Sequence, residues 1–185
     1  CFTIGCGMPE LPQPVPLVRG LRAVHLNRRA ASRYATTVET SNDLFNEVLC
    51  RSMSDLYMLM TNTPQGPYPY AGIPWYSTTF GRDGIITALH LLWCMPSLAR
   101  GVLSRLAALQ ATKVDPVNDA EPGKILHEIR YGELAHFKLI PHTPYYGTAD
   151  ATPLYLITLH LTWRATADRG LLERHLETAE GCLAW

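Results

Sequence analysis

Between Tyr70 and Trp93 the chain reads YAGIPWYSTTFGRDGIITALHLLW. Tyr70, Trp75, Tyr76 and Phe80 stand in a loop punctuated by Gly72, Pro74 and Gly81, and Arg82 and Asp83 follow at the start of an apolar run. Aromatic rings beside a guanidinium and a carboxylate suit a sugar, whose apolar faces stack on rings while its hydroxyls take charged, bidentate partners. The same residues also read as a buried loop with an aromatic core and a structural Arg82–Asp83 ion pair. A second long loop, residues 113 to 151, weighs toward a site. It has the same build and ends at another carboxylate, Asp150, ahead of another apolar run.

That second loop carries His127, Glu128, Arg130, Glu133, His142, Tyr145 and Tyr146. A zinc site of the His-Glu-x-x-His type is absent, because His127-Glu128 is followed by Ile129, Arg130 and Tyr131. Arg130 would also set a positive charge beside the ion, so neither metal nor cofactor is expected. No Gly-x-Ser-x-Gly elbow, phosphate-binding loop or dinucleotide fingerprint is present. What remains is a surplus of carboxylates, arginines and aromatics in loops, which fits glycoside chemistry. Asp83 and Asp150 both precede or open helical patterns, where the positive end of a helix stabilises a carboxylate. Each therefore reads either as a helix cap or as a reacting group.

The elements that would position these groups are helical. The apolar spacing predicts helices over Asn42–Thr61 with Ser41 as cap, Arg82–Cys94, Leu98–Thr112, Pro153–Arg164 with Thr152 as cap, and Arg169–Trp185. The second and fourth are apolar on nearly all faces and are expected to be the most buried. The others carry one apolar stripe, on the last helix Leu172, Leu176, Ala179 and Leu183. Wet and buried helices thus alternate. Long loops lead into the buried ones and short links lead out. This is the pattern of an all-α fold built as part of an (α/α)6 toroid, with an orthogonal bundle as the alternative. Both long loops would then open on one face of the ring. Five helices are fewer than half of a twelve-helix ring, so the chain reads as a fragment, marginally stable by itself.

Residues 1–38 read as an irregular N-terminal segment, a linker or the edge of an upstream domain. Pro9, Pro12, Pro14 and Pro16 break its first part, and residues 21–38 fit two short strands or a weak basic helix. Residues 39–185 form the expected domain. The charges balance, with 16 basic and 16 acidic residues, which gives no electrostatic case for nucleic acid or an anionic membrane. No run reaches the ~20 apolar residues of a membrane span. The five cysteines are scattered, and Cys50, Cys94 and Cys182 fall in helical patterns as buried thiols, which points to a reducing, cytoplasmic setting.

Three stretches, YPYAGIPWYSTTFGRDGIITAL, PGKILHEIRYGELA and YYGTADATPLYL, resemble in order and spacing the bacterial glycogen-debranching, amylo-α-1,6-glucosidase-like family. The resemblance runs from about Thr40 to Trp185. It implies an (α/α)6 toroid, an upstream β-sandwich-type domain and inverting hydrolysis of α-glucans or related glycosides. It also implies that Arg82 and Asp83 line the subsite of the released sugar and that Asp150 is the general acid, with Glu128 and Glu133 as rivals. Trp75, Tyr76, Glu128, Arg130, Glu133 and Tyr146 join the substrate-binding set. The family pattern has Asn where Gly147 stands here. An inverting pair needs two carboxyls roughly 6.5–9.5 Å apart, and the resemblance places the base beyond Trp185. A hydrolase of a small glycoside or disaccharide and a non-catalytic carbohydrate-binding protein are the alternative readings.

Overall fold

Helix ends are set locally, by whichever residue can satisfy the free N–H groups of a first turn. The computed structural model describes residues 16–32 and 36–185, which belong to two units, 1–35 and 36–185. In the first, Leu17–Ser32 is a helix, α1. The N-terminal segment is therefore helical over Leu17–Ser32, and residues 36–38 have no regular structure. The expected linker over residues 1–15, Cys1 and Cys6, and the basic Arg33 lie outside the described residues.

In the second unit Asp43–Leu59 is α2, and Asn42 rather than Ser41 caps it, its side chain accepting from the Phe45 N–H at 3.1 Å. The strands Met60–Thr63 (β1) and Gly66–Pro69 (β2) form an antiparallel hairpin in place of the last residues of the expected helix Asn42–Thr61 and the plain loop after it. Helix α3 spans Gly81–Leu91, and α4 spans Pro96–Ala107 with the proline in its first turn, where the missing N–H costs nothing. A short helix, α5, covers Glu133–His136. Helix α6 runs over Ala151–Thr166 with Asp150 at its N-cap position. Thr152 does not cap it; its hydroxyl sits inside the first turn and accepts from the Ile125 N–H. Helix α7, Arg169–Ala184, is capped by Asp168 through the Leu171 N–H. The described residues thus hold seven helices and one small hairpin, a mostly helical, all-α fold.

Two helical hairpins, α3–α4 and α6–α7, lie side by side, with α3 against α6 and α4 against α7. This arrangement overturns the expected order of burial. Helix α4 is the most covered, burying Leu98, Ala99, Gly101, Val102, Leu103 and Leu106, because α3, α6, α7 and β2 all pack on it. Helices α3 and α6 are apolar all round yet leave Ile86, Ile157 and Leu161 exposed. Helix α2 buries no residue, so Phe45 and the Cys50 thiol lie at the surface, while Cys94 and Cys182 are buried as expected. On α7 the inward face is Leu171, His175 and Cys182, and Leu176 and Leu183 of the expected stripe point outward. Polar residues turned inward explain this rotation. His175 Nδ1 lies 2.9 Å from the Tyr155 hydroxyl, and Ser104 Oγ stands 3.5 Å from Nε2.

Burial, and then the nearby Arg174 charge, hold the His175 pKa below its ordinary 6.5. The unfolded chain takes up this proton first as pH falls. The stability contributed by neutral His175 is therefore complete above about pH 6.5 and is lost as pH drops through the folded-state value. We expect the urea midpoint to fall between pH 7 and pH 5, and the fall to be smaller in His175→Gln. An equal fall in both proteins would assign the acid lability to other groups.

Candidate functional site

Three stretches of loop are laced together beside the start of α3. Residues 78–81, 127–130 and 142–146 run alongside one another, with backbone bonds from Gly81 N–H to the His127 carbonyl at 2.8 Å and from Tyr145 N–H to the Glu128 carbonyl at 2.9 Å. The Ile129 N–H reaches the Thr79 carbonyl, the Arg130 N–H reaches the His142 carbonyl, and the Thr78 hydroxyl donates to the Ile129 carbonyl. These bridges gather parts of all three motif stretches, from Thr78 through Glu128 to Tyr145, into one patch. Gly81 is required at the crossing. A Cβ there would lie well under 3.0 Å from the Leu126 carbonyl oxygen and 3.6 Å from the Ala151 Cβ. The first residues of α3 and α6 therefore touch.

That contact brings Arg82 and Asp150 together, Nη1 to Oδ2 at 3.1 Å. The Asp150 carboxylate makes no cap bond to α6, although it stands at the capping position. It accepts instead from the Thr148 hydroxyl and from Arg82. The Thr148 hydrogen bond above all holds this carboxyl below its ordinary range; burial pulls it upward, and the Arg82 guanidinium, by hydrogen bond and charge, adds to the lowering. Its side chain remains 43% exposed. Asp150 thus stands as a carboxylate, and Arg82 pairs with it rather than with Asp83. Asp83 instead lines a cleft of about 220 Å³ between the ends of α2 and β2 and the first turns of α3, with Arg82, Leu56 and Tyr70.

Glu128 is buried, and both its oxygens are engaged: Oε2 accepts from Arg130 Nε at 2.8 Å and Oε1 faces His142 Nε2 at 3.4 Å. Arg130 also donates from Nη1 to the Trp75 carbonyl and lies over the Phe80 and Tyr76 rings. The rings of Trp75 and Tyr76 are open to solvent, 77% and 53% exposed. Glu133 is exposed and lines a second, wider cleft of about 520 Å³ with Arg130, Tyr131 and His142. Tyr146 faces the other way. It is buried, its hydroxyl donates to the Leu109 carbonyl at 2.8 Å, and burial pushes its pKa up. Adjacent residues in an extended segment point to opposite sides, so Tyr145 meets His142 and His127 while Tyr146 anchors the end of α4.

Sequence reading missed Thr148, which holds Asp150, and Arg105 on α4. The Arg105 guanidinium contacts Thr79, Gln65 and Tyr131 and so braces the same patch from below. A Thr two residues before a helix-start Asp was a usable signal, since short hydroxyl side chains bond locally there. Arg105 carried none, being one basic residue on the polar side of an amphipathic helix. Among the described residues no group of three His, Cys, Asp or Glu side chains is placed to hold a metal ion. No helix there is long and apolar enough to cross a membrane.

No family model matches the chain, and no curated protein matches it.

Proposed function

We propose that residues 39–185 are the N-terminal part of an (α/α)6 toroid glycoside hydrolase domain that cleaves α-glucosidic bonds with inversion, residues 1–38 being a linker or the edge of an upstream domain. The observation that carries the reading is the pairing of Arg82 with Asp150 across the touching first turns of α3 and α6. A ring of alternating helices sets the starts of its inner helices at one end, so loops far apart in sequence share one mouth. The paired hairpins and the exposed Ile86, Ile157 and Leu161 suit helices whose inner surface faces a lumen or further helices. In this reading Asp150 is the general acid, Arg82 and Asp83 hold the released sugar, Trp75, Tyr76, Arg130 and Glu133 face the rest of the glycoside, and the base lies in later sequence. A cytoplasmic setting belongs to the same proposal.

One observation favours a second reading, a carbohydrate-binding protein without turnover. Asp150 is held as a carboxylate, the wrong state for a proton donor. The two readings part in one experiment. A polypeptide carrying these residues and the rest of the ring is given a branched α-glucan, and the anomer of the first glucose released is followed by NMR. Release of β-glucose supports the inverting hydrolase. Binding of the glucan without release supports the binding protein, and neither binding nor release overturns both.

A further inference from the structure

Arg130 stands where the rings of the aromatic loop are fastened. The side chains of Trp75 and Tyr76 are exposed, so packing alone does not order them. Their turn is closed by two backbone bonds, Gly72 N–H to the Tyr76 carbonyl at 3.3 Å and Thr78 N–H to the same carbonyl at 2.9 Å. The guanidinium spans this turn. Its Nη1 takes the Trp75 carbonyl, and its central carbon lies 5.6 Å from the Tyr76 ring and 5.0 Å from the Phe80 ring. On its other side Nε is gripped by Glu128, itself buried and steadied by His142. A planar fork can serve a carboxylate, a carbonyl and two ring faces at once, which an ammonium cannot do.

We propose that Arg130 is a positioning residue that fixes the Trp75–Tyr76 turn as a preorganised stacking platform, and that Glu128 serves as its anchor. The nature of the stacked ligand, a glucan, rests on the function proposed above; the fastening of the turn does not. A platform ordered before binding spares the ligand the cost of ordering it.

The test is hydrogen–deuterium exchange of residues 70–80, with calorimetry of maltoheptaose binding to the same proteins. Arg130→Lys should speed exchange at the Gly72 and Thr78 amides by about tenfold or more, while core amides of α4 stay protected. Glu128→Gln retains a carbonyl oxygen to accept from Arg130, and should leave the turn's exchange within about threefold of the native chain. Because a lone buried carboxylate can unfold a protein, Arg130→Met/Glu128→Gln removes both charges together. It should loosen the turn as Arg130→Lys does and weaken maltoheptaose binding by about tenfold, in line with one lost preorganised contact. Unchanged exchange at Gly72 and Thr78 in both Arg130 variants overturns the proposal. So does exchange that rises equally throughout the chain, or loss of helical signal in both variants, because either makes Arg130 a residue of the whole fold. A turn that loosens as expected in a chain that does not bind maltoheptaose overturns the carbohydrate reading and leaves the fastening in place.

Discussion

Asp150→Asn, in a polypeptide that completes the ring, should lower kcat on unactivated α-glucans by roughly 10²-fold or more, the general range for a lost acid. A glucoside with a good leaving group needs little protonation and should lose much less. The unequal losses, measured as kcat for the two substrates, are what identify a proton donor. The geometry sets a demanding condition on this role. Thr148 and Arg82 hold the carboxyl below its ordinary range, and its side chain is 43% exposed. An acid must carry a proton near neutral pH, so the substrate must take over the Arg82 guanidinium and exclude water before Asp150 can donate. Both effects raise the pKa of the carboxyl in the complex above that in the free protein. The alkaline limb of the kcat profile, where the acid loses its proton, should accordingly sit higher in pH than the titration of Asp150 in the free chain. Equal slowing of both substrates would make Asp150 an ion-pair partner of Arg82 and remove it from the chemistry.

Gly81→Ala should destabilise the chain by about 3 kcal/mol, the upper end of the range for overpacking, because the clash is with backbone. The added Cβ would lie well under 3.0 Å from the Leu126 carbonyl oxygen, which neighbours the backbone bond from Gly81 to His127. Neither side can yield without opening that bond, and opening it separates the starts of α3 and α6. The Arg82–Asp150 pair should be lost with it. Gly132→Ala is the control, since no heavy atom lies within 4 Å of a Cβ built there. Exposed changes of this kind usually fall within about 0.5 kcal/mol. Denaturant unfolding of the three proteins checks the pair, and a Gly81→Ala chain as stable as the native one would show that the crossing of α3 over residues 126–127 is loose.

The five long helices of the second unit were legible in the sequence because their signals are local. The 3.6-residue apolar period lies within a few positions of the bonds it governs, and the helices fall within a few residues of the expected bounds, although Asn42 and Asp150 stand where Ser41 and Thr152 were expected as caps. The approach of a loop to each α3 and α6 start was legible for the same reason. The hairpin at Met60–Pro69 was not, because strands of four residues carrying Pro67 and Pro69 show no two-residue alternation. Nor was burial. An all-apolar helix is buried only where another element covers it, so α4, with one apolar stripe but four packed neighbours, is more enclosed than α3 or α6. The site divides along the same line. The sequence named the carboxylates, arginines and rings, since residue type alone sets what a side chain can donate or stack. Which guanidinium meets which carboxylate depends on distance in space. Arg82 reaches Asp150 and Arg130 reaches Trp75 across loops whose approach is decided by close backbone contact at Gly81 and the lacing of residues 127–130 between their neighbours.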